Sequence, residues 1–184
     1  MQMRRTHILK ALAWLGDRVE WEQPVEILLI GGAAGMITGQ LAPDRTTLDC
    51  DVIDYTPAEA MQAVGIAARR VAQELGLPEG WLSSQARQLN ILPDGWRNRR
   101  QHVGSFGKLR IYAVGRLDLL ATKCYANRPE DREDILAMHP TGEELSFVRT
   151  YLTMLRVPSR QANLDQVESA LRLVAALKGR FDDA

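Results

Sequence analysis

Two aspartates separated by one residue, Asp49 and Asp51, are the side chains best suited to chemistry. They fall in the run Thr47 to Tyr55, whose alternation predicts a strand with Thr47, Asp49, Asp51 and Ile53 on one face and Leu48, Cys50, Val52 and Asp54 on the other. Residues two apart on a strand are roughly 6.5 to 7 Å apart, so the two carboxylates can converge on one divalent cation or on two ions about 3.5 to 4 Å apart. Oxygen-only donors suit Mg²⁺ or Mn²⁺, ions that bridge the phosphates of a nucleotide. Upstream, the apolar run Val25 to Ile30 reads as a buried strand that stops at Gly31-Gly32, with Ala33, Ala34, Met36 and Ile37 opening a helix behind it. Such a turn offers backbone N–H groups and a positive helix end to phosphate. Each piece also has a plain structural reading, a tight turn for Gly-Gly and a solvated face for Asp-x-Asp. The conjunction is what points to chemistry.

The elements that must position these groups follow from periodicity. Ile8, Leu12 and Leu15 predict a short amphipathic helix ending near Gly16. Thr56-Pro57-Ala58-Glu59 has the form of a capping box, followed by the stripe Met61, Val64, Ala68, Val71 and Leu75 and stopped by Gly76 and Pro78. From Pro78 to Phe106 the pattern is poor, and loops and short turns are expected around Trp81, Trp96 and the cluster Arg97, Arg99 and Arg100. With Lys108 and Arg110, that cluster could grip an RNA acceptor or the phosphates of a nucleotide, or be a solvated loop. Lys108 to Val114 predicts a further strand, Leu117 to Tyr125 a helix, and Pro129 the start of another. Thr141 to Glu144 forms a second capping box before Leu145, Val148, Leu152 and Leu155, and Asn163 caps a last helix through Val167, Leu171 and Val174. The fold class is therefore α/β (α+β): a small mixed sheet flanked by helices, with a helical C-terminal region. The expected division is a domain over 1–138 and a helical extension over 139–184, at His139-Pro140.

Gly31-Gly32 followed by Arg45-Thr46-Thr47-Leu48-Asp49-Cys50-Asp51-Val52 resembles the glycine turn and T-x-D-x-D signature of nucleotidyltransferase-fold proteins in the DNA polymerase β superfamily. A second block, Leu119-Leu120-Ala121-Thr122-Lys123 with Ala126, Arg128, Asp131, Asp134 and Ile135, resembles the fixed lysine and R-x-x-D-x-x-D-I run of the bacterial group that includes the abortive-infection toxins. Trp81 and Leu92-Pro93, with Arg97 beyond, are similar to the spacer of one branch of that group; the likeness covers roughly residues 25 to 138. It implies transfer of a nucleotidyl group from a nucleoside triphosphate (NTP) to a hydroxyl of RNA, such as tRNA, or of protein, with a toxin-like role and a cognate antitoxin as partner. By the same resemblance Asp49 and Asp51 are catalytic and hold Mg²⁺ or Mn²⁺ with Asp131. Gly31, Gly32, Arg45, Thr47, Lys123 and Arg128 meet the nucleotide, and Lys123 and Asp134 join the catalytic set.

One departure stands out. The strand from Lys108 to Val114 offers Lys108, Arg110 and Tyr112 on one face and no acid, so a base must come from Asp131, Asp134 or water, or be missing. Plainer readings exist here too: Asp131 as a first-turn acid stabilising its helix, Asp131 and Asp134 as a solvated stripe, and Lys123 as a surface lysine beside Leu119 and Leu120. The rival function is a catalytically inactive module of the same fold that binds nucleotide or a partner protein.

Composition narrows the classes. The 184 residues carry 23 basic and 23 acidic side chains, so bulk charge gives no reason to expect a general polyanion coat. Two cysteines, Cys50 and Cys124, make neither a multi-bridge framework nor a C-x-x-C pair, which suits a reducing compartment. His7, His102 and His139 have no ligand spacing, and no G-x-S-x-G occurs. With no apolar leader and no run of about 18 apolar residues, the expectation is a cytoplasmic protein without membrane contact.

Overall fold

The computed structural model describes residues 2–88, 91–157, 160 and 162–182. Two compact units emerge, Met1–Gln88 with Arg100–Val114, and Leu89–Arg99 with Gly115–Ala184. The helices expected at Leu117 and Pro129 thus count with the helical unit, and not with the first domain as read from sequence.

The first unit holds a five-stranded mixed sheet in the order β3-β2-β1-β5-β4. At its centre β1 (Val25–Ile30) is buried at every position but Glu26, as a leucine- and isoleucine-rich run requires. It pairs antiparallel with β2 (Cys50–Thr56) and parallel with β5 (Leu109–Ala113). β3 (Leu82–Ser83) pairs with β2 in parallel, and β4 (Gln101–Phe106) closes the other edge antiparallel to β5. The segment from Pro78 to Phe106, expected to be loops and turns, therefore contains two strands, a 3₁₀ turn over Gln85–Gln88 and the short helix α4 (Trp96–Arg99). β4 escapes detection because an edge strand with Gln101, His102 and Ser105 exposed has no apolar alternation to read.

The helices of this unit are α1 (Arg5–Arg18), α2 (Gly31–Ile37) and α3 (Met61–Leu75). α1 buries Ile8, Leu12 and Leu15 as expected. α3 begins later than its expected capping box: Ala58–Ala60 form a 3₁₀ turn, and no side chain caps it. The inward stripe is Val64, Ala67, Ala68, Val71 and Ala72, leaving Met61 exposed, and Gly76 ends the helix in the left-handed conformation. The C-terminal end of α1 and the β4–β5 turn are tied by an unusually close approach. A Cβ on Gly107 would lie 2.3 Å from the Gly16 carbonyl oxygen, and Lys108 N–H donates to that oxygen at 3.1 Å.

The second unit is helical: α5 (Arg116–Ala126), α6 (Pro129–Met138), α7 (Gly142–Met154) and α8 (Leu164–Asp182), with α4. Both expected caps are present. Glu144 N–H donates to Thr141 Oγ1 while Thr141 N–H donates to the Glu144 carboxylate, and Gln166 N–H donates to Asn163 Oδ1. Leu145, Val148, Leu152, Val167, Ala170 and Val174 bury the α7–α8 seam. Among the described residues no helix is long and apolar enough to cross a membrane.

Candidate functional site

The glycine turn and the Asp-x-Asp segment lie together in the first unit. β1 runs into Gly31, whose φ of +72° turns the chain at once into α2. A Cβ on Gly31 would come 3.4 Å from Asp51 Oδ2, and one on Gly32 would come 3.4 Å from Thr47 Oγ1. Thr47 Oγ1 donates to the Asp49 carbonyl oxygen at 3.1 Å, so the hydroxyl, the two glycines and the Asp-x-Asp segment form one constellation. Thr47 is itself anchored by a two-hydrogen-bond bridge to Met3, a fully buried residue that sequence reasoning did not single out. Arg45 is half-buried and donates to the Thr46 carbonyl oxygen.

The strand carrying the aspartates begins at Cys50, later than expected, so Asp49 precedes it. A bulge then breaks the alternation. Asp51 pairs with Ile30, Val52 with Leu29 and Asp54 with Leu28, which leaves Ile53 as the extra residue. Leu28 and Ile30 share a face of β1, so Asp54 lies on the Asp51 face, not on the opposite one that strict alternation assigns it. Asp49 and Asp51 are both half-buried and flank Cys50, which is wholly buried. Burial first, then the charges of Asp51 and Asp49, push the Cys50 thiol far above its usual range, so it stays protonated.

The donor set fits a hard divalent cation. It consists of two carboxylates with the intervening thiol unable to ionise, and Mg²⁺ is commonly held by one or two protein carboxylates with phosphates and water completing its shell. Among the described residues no group of three or more His, Cys, Asp and Glu side chains is arranged to hold a metal by itself. Any ion at Asp49 and Asp51 would complete its shell with water or phosphate oxygens.

The second block assembles within the helical unit. Lys123, on α5, donates to Asp131 Oδ1 at 2.9 Å and to Asp134 Oδ2 at 2.7 Å, both on α6. The three residues are 3%, 7% and 4% exposed, so this is a buried cluster and neither a surface lysine nor a solvated stripe. Asp131 also accepts the Arg128 N–H at 3.4 Å and so closes the first turn of α6, while the Arg128 residue is exposed. The neighbouring Cys124 thiol is pushed up to about 12, by burial first and then by Asp131.

Sequence reasoning missed Asp118, which is fully buried in the first turn of α5. Arg99 meets its carboxylate through Nε and Nη2, at 2.6 Å for the shortest contact. The only signal was an acid set among Leu117, Leu119 and Leu120. The basic cluster is correspondingly reduced as a binding patch. Arg100 pairs with Glu26 at 2.9 Å and lies 3.8 Å over the Tyr112 ring, Lys108 donates to the Glu22 carbonyl, and Arg97 covers the Trp96 ring.

Comparison with known proteins agrees with the coarser part of the motif reading, a nucleotidyltransferase. A family model described as a nucleotidyltransferase of unknown function (DUF6036) matches residues 9–144, about three quarters of the chain. No curated protein and no solved structure matches it.

Proposed function

Since the chain belongs to this family of nucleotidyltransferases of unknown function, we propose that it moves a nucleotidyl group from an NTP to a hydroxyl of RNA, such as tRNA, or of protein. The observation that supports this most is the 3.4 Å approach of Asp51 Oδ2 to the space left by the missing Gly31 side chain. It sets a carboxylate donor beside backbone that a phosphate can approach closely. In this reading Asp49 and Asp51 hold Mg²⁺ or Mn²⁺, which when bound offsets phosphate charge and eases departure of pyrophosphate. Gly31 and Gly32 admit the triphosphate, and Thr47 and Arg45 border it with a hydroxyl and a cation.

The remaining residues enter the proposal through the resemblance of their motif. Lys123 and Arg128 are directed at phosphate, Asp131 serves as a further metal ligand and Asp134 as the base. Two of the three Lys123 N–H donors go to Asp131 and Asp134, which leaves one for a phosphate oxygen. A toxin-like role with a cognate antitoxin, and a place in the polymerase β superfamily and in the cytoplasm, rest on the likeness of the two blocks. One observation favours a second reading, an inactive module that binds nucleotide or a partner: no three-carboxylate group is found among the described residues.

The test is to incubate the protein with Mg²⁺ and each α-labelled NTP, together with total RNA and cell lysate. Label on an acceptor, lost in Asp49→Ala and Asp51→Ala, supports transfer. Nucleotide binding without label on any acceptor refutes transfer and leaves the inactive module.

A further inference from the structure

The strongest unassigned feature lies in the helical unit, past the residues shared with the family. α7 and α8 enclose a groove of about 480 Å³, every lining residue of which falls between Leu145 and Gly179. Its floor is apolar, made by Leu145, Leu171, Val174 and Ala175. Its rim carries Arg149 and Arg156 on one side and Lys178 on the other, and no carboxylate lines it among the described residues. In a chain whose net charge is zero, this is a local excess of positive charge over an apolar strip.

From this we propose that the groove docks an acidic amphipathic helix of a partner protein. The argument is complementarity of two kinds. An apolar stripe on the incoming helix would bury the floor, where Gly179 leaves open space because a Cβ there would meet nothing within 4 Å. Arg149 on α7 and Arg156, two residues past the end of that helix, both line the groove and offer cations to carboxylates on the partner. The rim is available for exchange. Arg156 now pairs with Glu168 at 2.6 Å, but both side chains are about half exposed, so that pair is weakly held. Among the described residues Lys178 makes one hydrogen bond, a long 3.4 Å contact with Ser146 Oγ, and Arg149 is exposed.

The same facts disfavour the other occupants. RNA would satisfy the cations and leave the apolar floor uncovered. A second copy presenting this same face would set cations against cations. The inference does not depend on nucleotidyl transfer, because no lining residue belongs to the constellation assigned to that reaction.

The experiment measures fluorescence anisotropy on the full chain. The probes are a labelled 14-residue helical peptide with Leu at i, i+3, i+4 and i+7 flanked by Glu, the same peptide with Lys for every Glu, and a single-stranded RNA of 14 nucleotides. Saturable binding of the acidic peptide is expected, at least about tenfold tighter than that of the basic one and weakened about tenfold or more by Arg149→Glu with Lys178→Glu. Ala175→Trp, which fills the floor without altering charge, should weaken it as well while label transfer to an acceptor stays at the wild-type level. Circular dichroism confirms that each variant is folded. Absence of saturable binding by the acidic peptide, equal binding of the basic peptide, or RNA binding that the same substitutions abolish would overturn the proposal.

Discussion

Replacing Lys123 by Met tests whether the second motif is held together by the buried ion cluster. Met keeps most of the aliphatic stem and removes the ammonium that Asp131 and Asp134 approach to 2.9 and 2.7 Å. Both carboxylates would then stay buried with that ammonium gone. Stripping one partner from a buried pair costs about 3 to 5 kcal/mol. For a chain of 184 residues, each kcal/mol shifts Tm by roughly 2 to 4 °C, so a fall of about 6 to 20 °C is expected. Asp134→Asn should be milder, about 1 to 2 kcal/mol, because Lys123 keeps Asp131 as partner. Combining the two substitutions should recover part of the Lys123→Met loss, since one of the two buried negative charges is gone. Urea unfolding followed by far-ultraviolet circular dichroism at pH 7 measures all three. If Lys123→Met stays within about 1 kcal/mol of wild type, or the double variant is no better than the single, the cluster does not hold the helices as argued. The result also bears on function: lost transfer in a Lys123 variant speaks for a phosphate role only where the fold survives, which makes Lys123→Arg the companion to assay.

Four further outcomes follow from particular contacts. Gly16→Ala should lose about 3 kcal/mol or more, because the new Cβ would sit 1.9 Å from the Phe106 carbonyl oxygen; a urea midpoint near wild type refutes that close approach. Gly31→Ala places a side chain at φ +72° and should cost about 1 to 2 kcal/mol while weakening NTP binding by calorimetry; unchanged affinity would separate the turn from the nucleotide. The Cys50 thiol has a folded pKa above its unfolded value of 9.0, so its contribution is full below pH 9 and is lost as pH rises beyond it, by roughly 1 kcal/mol per pH unit. Cys50→Ala should therefore flatten the alkaline limb of stability between about pH 8 and 11, and identical limbs would contradict the assignment. Glu144 runs the other way: the hydrogen bond from Arg116 holds its pKa below the ordinary 4.5, so its contribution is present above that pH and disappears as pH falls through the folded value. Glu144→Gln should flatten the acid limb from pH 6 to 3, read as urea midpoints.

Much of this molecule was legible in the chain. β1, α1, the Thr141 and Asn163 caps and the stop at Gly76 were visible because each is specified by local chemistry: a buried apolar run, a helical stripe, an oxygen placed to accept an N–H, a residue tolerant of positive φ. Residues of the candidate site stand out in the sequence for a similar reason. Glycine and closely spaced carboxylates are types that a fold has little cause to place together unless backbone must come near charge.

What local pattern could not supply were relations across distance in the chain. Alternation set Asp54 opposite Asp51, but the bulge at Ile53 exists only because β2 must match β1, and it brings them to one face. β4 takes its place from β5 through Gly107, not from its own polar sequence. Arg99 looked like part of a free basic patch, whereas Asp118, 19 residues later and wholly buried, draws its guanidinium into an ion pair. Lys123, Asp131 and Asp134 have a spacing that suits an active site but also a surface lysine and a solvated stripe, and packing of α5 against α6 makes them a buried cluster. The sequence by itself determined the elements with a strong local pattern and the likeness to nucleotidyltransferases. The tertiary structure alone decided which charges meet, because burial and pairing depend on neighbours that the chain brings from elsewhere.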